Sequence, residues 1–278
     1  MKIHQRGRAI ARAALEPVRN RPGARRYHYI RDDVRGGNIL YFWQWAWLEQ
    51  RRGHRAVIEP TTHASDWLAE FPMLGSLTAD GPIGLLDRRE LGGQWAFAVD
   101  FTAEENRDFC HALVSSSPSF QARRRELAEQ VTPGTVVVNV RRGDYYSVPE
   151  HRQRFGMDIP RHVEQAIDLL AEPDLPINDV LVISDDITWC QDNLRGPLPT
   201  LRVLEDRRSM FDDLAALSLS TRLVLANSTF SYWASYIAAA FNPRHAAVAP
   251  PHHELLPDGT PTRLMFDPRW TRTTRSGS

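Results

Sequence analysis

Three times between residues 136 and 241, a short run of branched apolar residues stops at a polar turn and gives way to a helical pattern. Val136 to Val140 runs into Arg141-Arg142-Gly143-Asp144, Val180 to Ile183 into Ser184-Asp185-Asp186, and Arg222 to Ala226 into Asn227-Ser228-Thr229. After Asp186, the apolar Ile187, Cys190 and Leu194 recur at the spacing of one helix face, and after Thr229 so do Phe230, Trp233, Ile237 and Phe241. Runs without polar alternation belong to strands covered on both faces. Strands that alternate with helices are parallel and joined by right-handed crossovers, so their polar turns fall on one edge of the sheet. Leu201 to Leu204 and His245 to Ala249 read as further strands, and Ser209 to Asp212 has capping-box spacing with Asp in place of Glu. The carboxyl-terminal half is therefore an α/β layer.

Such sheets bind ligands beyond the carboxyl ends of their strands. Arg141 and Arg142 at that edge point to an anion, because a guanidinium fork matches phosphate geometry. Gly143 lets the backbone approach a ligand where a Cβ would intrude. The helix starts after Asp186 and Asn227 add N–H donors that favour the same charge.

These segments resemble, in order, motifs of the α-1,2-fucosyltransferases of glycosyltransferase family 11. The pattern His-x-Arg-Arg-Gly-Asp-Tyr stands here as Asn139 to Tyr145; Ser-Asp-Asp before a Trp-Cys helix stands as Ser184 to Cys190. Asp-Leu-x-x-(Leu/Met)-Ser stands as Asp213 to Ser218, and Ala-Asn-Ser-x-Phe-Ser-x-Trp as Ala226 to Trp233. The resemblance implies a GT-B-like fold, two Rossmann-like domains facing across a cleft, and metal-independent inverting transfer of fucose from GDP-fucose to a glycan hydroxyl, with an α-1,2 linkage to galactose. It implies catalytic roles for Arg141, Arg142 and Asp144. Donor contacts are expected from Asn139, Gly143, Tyr145, Ser184, Asp185, Asp186, Asp213, Asn227, Ser228, Thr229 and Phe230, with Asp213 the candidate for guanine. Gly37 and Asn38, in a loose echo of the family's glycine-rich turn at Arg35 to Phe42, are the acceptor-side candidates. Two departures stand out: Asn139 replaces a histidine and cannot carry a proton, and Ile39 replaces a glutamine. The rival readings are a transferase of another NDP-sugar and a glycan- or nucleotide-binding protein without turnover.

Composition removes other classes. With 34 basic and 34 acidic residues in 278, there is no general excess of charge for nucleic acid. Lys2 is the sole lysine, which leaves none for a P-loop or a Schiff base. Cys110 and Cys190 form no disulfide framework, and no zinc-ligand spacing occurs; His252-His253 reads as packing. Asp185 and Asp186 read as a helix cap with a ribose or packing contact rather than as metal ligands, so no metal and no cofactor beyond the donor substrate are expected.

The expected domains are a basic arm over residues 1–26, an acceptor-side α/β domain over 27–132, a GDP-sugar-binding Rossmann-like domain over 133–270 and a flexible tail over 271–278. The arm carries Lys2, Arg6, Arg8, Arg12, Arg19, Arg21, Arg25 and Arg26 against Glu16; an amphipathic stretch around Ala9 to Leu15 offers a peripheral contact with anionic lipid. The expected location is cytoplasmic, with that contact on the inner membrane face. Asn38 to Arg52 reads as a helix whose five aromatics face all round, mostly as core, with one or two rings as candidates to stack on a sugar. Glu59 to Gln94 reads as loop-rich, and Ala103 to Gln130 as one or two helices interrupted at Pro118.

Overall fold

The computed structural model describes residues 15–91, 100–194, 200–262 and 266–275. It divides into two compact units, Met1–Gly93 and Gln94–Ser278. In the first, strands β1 (Arg26–His28), β2 (Ala56–Ile58) and β3 (Arg88–Glu90) form a parallel sheet in the order β2-β1-β3. Helix α1 (Gly37–Arg51) packs on β2 and buries Ile39, Leu40, Tyr41, Phe42 and Trp43. A helix apolar on most of its faces is a buried helix. Trp45 and Trp47 are half-buried, and each ring already carries a guanidinium, Arg26 at 5.3 Å and Arg51 at 4.6 Å. The loop-rich segment contains two short α-helices, α2 (Ser65–Glu70) and α3 (Met73–Ser76), as well as β3.

The second unit opens with α4 (Ala103–Ser115) and α5 (Pro118–Leu127). Thr102 and Glu105 close a full capping box on α4; Pro118 follows the Ser117 cap as the first residue of α5, where its missing N–H costs nothing. Then come β4 (Thr135–Val140), α6 (Gly143–Ser147), α7 (Pro149–Phe155), α8 (Ile159–Leu170) and β5 (Asp179–Ser184). They are followed by α9 (Ile187–Asn193), β6 (Leu201–Val203), α10 (Met210–Ser218), β7 (Arg222–Val224), α11 (Thr229–Phe241), β8 (Ala246–Ala249) and β9 (Thr271–Arg272). All six strands are parallel, in the order β6-β5-β4-β7-β8-β9.

This order centres on β4, the first strand of the second unit in chain order, with β5 and β6 added on one side and β7 to β9 on the other. Crossovers leaving β4 and β7 in opposite directions open a crevice at their carboxyl ends. Beneath it Val136, Val138, Val180, Val182, Val224 and Val248 pack with Ile159, Val163, Ala166 and Leu170 of α8. Each such side chain contributes about 1.5–3 kcal/mol relative to exposure, so the strands give the site a rigid floor.

Two boundaries differ from the sequence reading. Helices α4 and α5 belong with the second unit, not with residues 27–132, because they bury their apolar faces on α11 and α10: the Phe109 and Trp233 rings lie 5.6 Å apart, and Arg123 Nη1 donates to Asp212 at 2.7 Å. The expected flexible tail is docked as far as it is described. Thr271–Arg272 pairs with β8, Thr273 is buried with Oγ1 2.8 Å from His162 Nδ1, and its N–H donates to Ala249 O at 3.1 Å. Residues 276–278 lie outside the described residues, as do residues 1–14 of the basic arm and with them most of the Ala9 to Leu15 stretch. No helix among the described residues is long and apolar enough to cross a membrane.

Candidate functional site

The carboxyl end of β4 is the hub. Asn139 is buried, and its Nδ2 donates to Ile183 O at 3.0 Å, tying β4 to β5 two residues before Arg141. Beyond it the two arginines have different surroundings. Arg141 is 40% exposed; its Nη2 meets Asp144 at 2.5 Å and its Nη1 meets Asp185 at 2.9 Å. Arg142 is 17% exposed and lies between two rings, 4.0 Å from the centre of Trp189 and 4.5 Å from that of Tyr146, while its Nε donates to Asp186 at 2.9 Å. A guanidinium held by two ring faces and a carboxylate is fixed in place. Arg142 also lines a cleft of about 330 Å³ with Tyr146, Arg152, Met157, Asp158 and Trp189.

The β5 turn clamps the β4 turn. Asp185 Oδ1 accepts the Arg142 N–H at 2.8 Å, and a Cβ on Gly143 would stand 2.6 Å from Asp185 Oδ2. A side chain at position 143 would therefore push the Asp185 carboxylate off the β4 turn. Asp186 caps α9 by accepting the Trp189 N–H at 3.2 Å, and the hydrogen bond from Arg142 holds its carboxyl below the usual range. Ser184 Oγ accepts the Asp186 N–H at 3.0 Å. The reading of Asp186 as a cap thus holds in the geometry, and among the described residues no group of three His, Cys, Asp or Glu side chains can hold a metal ion.

Across the crevice, β7 leads into α11. Asn227 is buried, and its amide donates to Phe155 O at 2.8 Å and His253 O at 3.0 Å, so its side chain ties three chain segments together. Both amide hydrogens are used there, so the side chain fixes the turn that leads into α11. Ser228 is the cap residue of α11 but makes no side-chain cap bond, and no acid lies in the first turn. Thr229 is buried and Phe230 half-buried. A 13-residue helix with an uncapped, acid-free amino end leaves its first N–H groups suited to an anion.

Tyr145 walls the crevice. Its ring stacks on Phe155 at 4.4 Å, the Arg141 guanidinium lies 5.6 Å from its centre, and its hydroxyl donates to Asn227 O at 3.4 Å. Burial pushes its pKa up to about 12, which keeps it neutral. His253 shares a hydrogen bond with Tyr232 at 2.9 Å, and burial pushes its pKa down to about 4, so it too is neutral.

On the β5 side, Asp213 lies in the first turn of α10 and is 8% exposed. One carboxylate oxygen pairs with Arg207, whose other Nη donates to Ser184 O at 2.9 Å; the second, Oδ1, is buried without a hydrogen-bond partner. Burial raises the Asp213 pKa against the pull of Arg207. An orphaned buried carboxylate oxygen is costly unless a ligand donor reaches it. Arg207 was not singled out in the sequence; in an arginine-rich chain, an arginine between β6 and α10 carries no distinguishing signal. Neighbouring Asp212 plays a different part, completing the capping box with Ser209 and accepting from Arg123 and Arg208. Gly37 and Asn38 open α1 in the first unit, after Gly36 at φ +55°.

Comparison with known proteins adds a family. The model of glycosyl transferase family 11 matches residues 93–249. The galactoside alpha-(1,2)-fucosyltransferase 1 of Plecturocebus brunneus is 29% identical over 142 residues, 50% of this chain and 38% of that protein. That of Saimiri boliviensis boliviensis is 28% identical over 182 residues, 63% of this chain and 49% of that protein. The chain spans about half or less of the length of these relatives. Among solved structures, fucosyltransferase NodZ from Bradyrhizobium is 14% identical with a TM-score of 0.45, covering 77% of this chain and 93% of that one. POFUT1 in complex with GDP is 12% identical with a TM-score of 0.45, covering 78% and 95%.

Proposed function

This chain belongs to glycosyl transferase family 11, and on that premise we propose that it transfers fucose from GDP-fucose to a glycan hydroxyl. The observation that carries the reading is the half-exposed Arg141 at the end of the central strand, across the switch-point crevice from the uncapped start of α11. As the bond between fucose and the β-phosphate breaks, the electron pair stays on the phosphate oxygen. Fixed donors are what stabilise such charge. Arg141 and the first N–H groups of α11 supply them, and Arg142, clamped by Trp189, Tyr146 and Asp186, holds the turn that presents Arg141.

Asp213 reads the base in this proposal. Its unpartnered Oδ1 accepts from guanine N1–H or the N2 amino group, while Arg207 fixes Oδ2. The names of the matched relatives support an α-1,2 linkage to a galactoside. The proposal includes an inverting, metal-independent reaction, the two-domain GT-B arrangement, and acceptor contacts near Gly37 and Asn38. Calorimetric titration with GDP, ADP and UDP, then incubation of GDP-fucose with galactosides read by linkage analysis, tests it. GDP preference with 2-O-fucosylated product is the expected result; transfer from a UDP- or dTDP-sugar with no GDP preference would overturn it.

A further inference from the structure

The charge at the strand edge does not suit the ligand as it stands. Among the described side chains there, the guanidiniums of Arg141 and Arg142 meet three carboxylates, Asp144, Asp185 and Asp186. The Arg207–Asp213 pair adds no net charge. A diphosphate approaching this edge meets an arginine whose two terminal nitrogens are both held by carboxylates. The phosphate oxygens therefore compete with those carboxylates for the guanidinium.

One side chain is placed to take up the released carboxylate. His151 on α7 has its Nδ1 3.5 Å from Asp144 Oδ2, while Arg141 meets the other oxygen, Oδ1, at 2.5 Å. The Nδ1 atom is buried and has no hydrogen-bond partner, while the side chain as a whole is 44% exposed. The contact is therefore a gap left open, about 0.7 Å longer than a formed charge-assisted bond. The charged and titratable groups around His151 are few. Asp144 faces it from α6, with Arg141 beyond; His253 lies across Phe155; Glu150, Arg152 and Arg154 share its own helix, the last paired with Glu254.

We propose that His151 is a positioning residue of the donor site: on donor binding it takes a proton from solvent, closes on Asp144 and frees Arg141 for the diphosphate. This rests on the proposed use of a nucleotide-sugar donor. The balance is simple, one proton entering from bulk water, one Arg141–Asp144 contact exchanged for His151–Asp144, and the guanidinium passing to phosphate oxygens. The proton restores the missing cation, bringing three positive groups against three carboxylates. Histidine is the side-chain type whose charge ordinarily changes near neutrality, and burial keeps the site's other histidine, His253, neutral.

The sign follows from linkage. Because binding takes up a proton, donor affinity is greater at low pH and falls as pH rises. GDP-fucose is the right probe, since its diphosphate has no group titrating between pH 6 and 9. Calorimetry at pH 7.5 in two buffers of different protonation enthalpy should show proton uptake by the parent and none by His151→Gln. Affinity of the parent should drop roughly tenfold between pH 6.5 and 8. A permanent cation in His151→Arg should flatten that dependence while keeping binding, and Asp144→Asn should abolish it by removing the competitor. Binding with the same proton count in parent and His151→Gln would overturn the inference and leave the proposed function standing. Failure of any form to bind GDP-fucose would overturn both.

Discussion

Arg142 and Arg141 are adjacent in sequence but should fail in different ways when removed. Arg142 has two ring faces, at 4.0 Å and 4.5 Å, and one carboxylate at 2.9 Å, with 17% of its side chain exposed. Two cation–π contacts of about 0.5–1 kcal/mol each and an ion pair of about 0.2–1 kcal/mol total about 1–3 kcal/mol. For a unit of this size, each kcal/mol shifts the melting midpoint by about 2–4 °C, so Arg142→Ala should lower Tm by roughly 3–10 °C. Lysine should recover little, because an ammonium does not stack in the slot between Trp189 and Tyr146. Arg141 is half-exposed in exposed pairs, and Arg141→Ala should cost no more than about 1 kcal/mol of stability. Its loss should instead lower turnover by roughly 10²–10³-fold, the usual effect of deleting a donor to developing oxyanion charge. Calorimetric melting and single-turnover transfer measured on both variants decide it. A larger Tm loss in Arg141→Ala than in Arg142→Ala, or unimpaired transfer by Arg141→Ala, would refute the division of roles.

Other expectations follow from single contacts. Changing Asp213 to Asn replaces an acceptor with a donor at a buried position and should cost about 1–3 kcal/mol of GDP binding, with UDP affinity little changed; an unaltered GDP-to-UDP ratio in calorimetry would place base recognition elsewhere. GDP affinity should persist in excess EDTA, whereas loss restored by manganese would make Asp185 and Asp186 ligands. Burial opposes ionisation of Asp212, yet hydrogen bonds from Arg208, Arg123 and the helix cap hold its pKa down to about 2. A carboxylate depressed in the folded state stabilises the fold above its unfolded pKa and loses that contribution as pH falls through the folded one. Asp212→Asn should therefore cost about 2 kcal/mol by denaturant titration at pH 7, with the gap closing between about pH 4 and pH 2.

The second unit's sheet could be read from sequence wherever the strands are buried on both faces. β4, β5 and β7 are runs of branched residues that end at their polar turns, and the caps at Asp186 and Ser209 follow from side-chain chemistry local to each turn. What escaped was short or long-range. Strands β1, β3 and β9 are three or two residues long, too short to show a period, and are defined by partners distant in sequence. Helices α6 and α7, five and seven residues, lie inside the arginine motif and across Pro149, where sequence reads as turn. Arg207 and the clamp of Asp185 on Gly143 exist because two strand ends meet in space. Chain order alone also grouped α4 and α5 with the wrong half, since their packing faces are satisfied by helices more than eighty residues away.

The pairing of β9 with β8 has a consequence for how the protein is made. β8 ends at Ala249 and its outer partner begins at Thr271, so during synthesis the sheet stands with an open edge until those later residues emerge. At ordinary translation rates that interval lasts about 1–4 s. Throughout it, unpaired backbone groups beside Val248 and Ala249 form a template for a neighbouring chain. Replacing the Thr271–Arg272 strand with prolines should leave that edge open and raise the aggregated fraction on expression. Substitutions that weaken the docking of Thr273 on His162 should do the same with no change in the crevice at all.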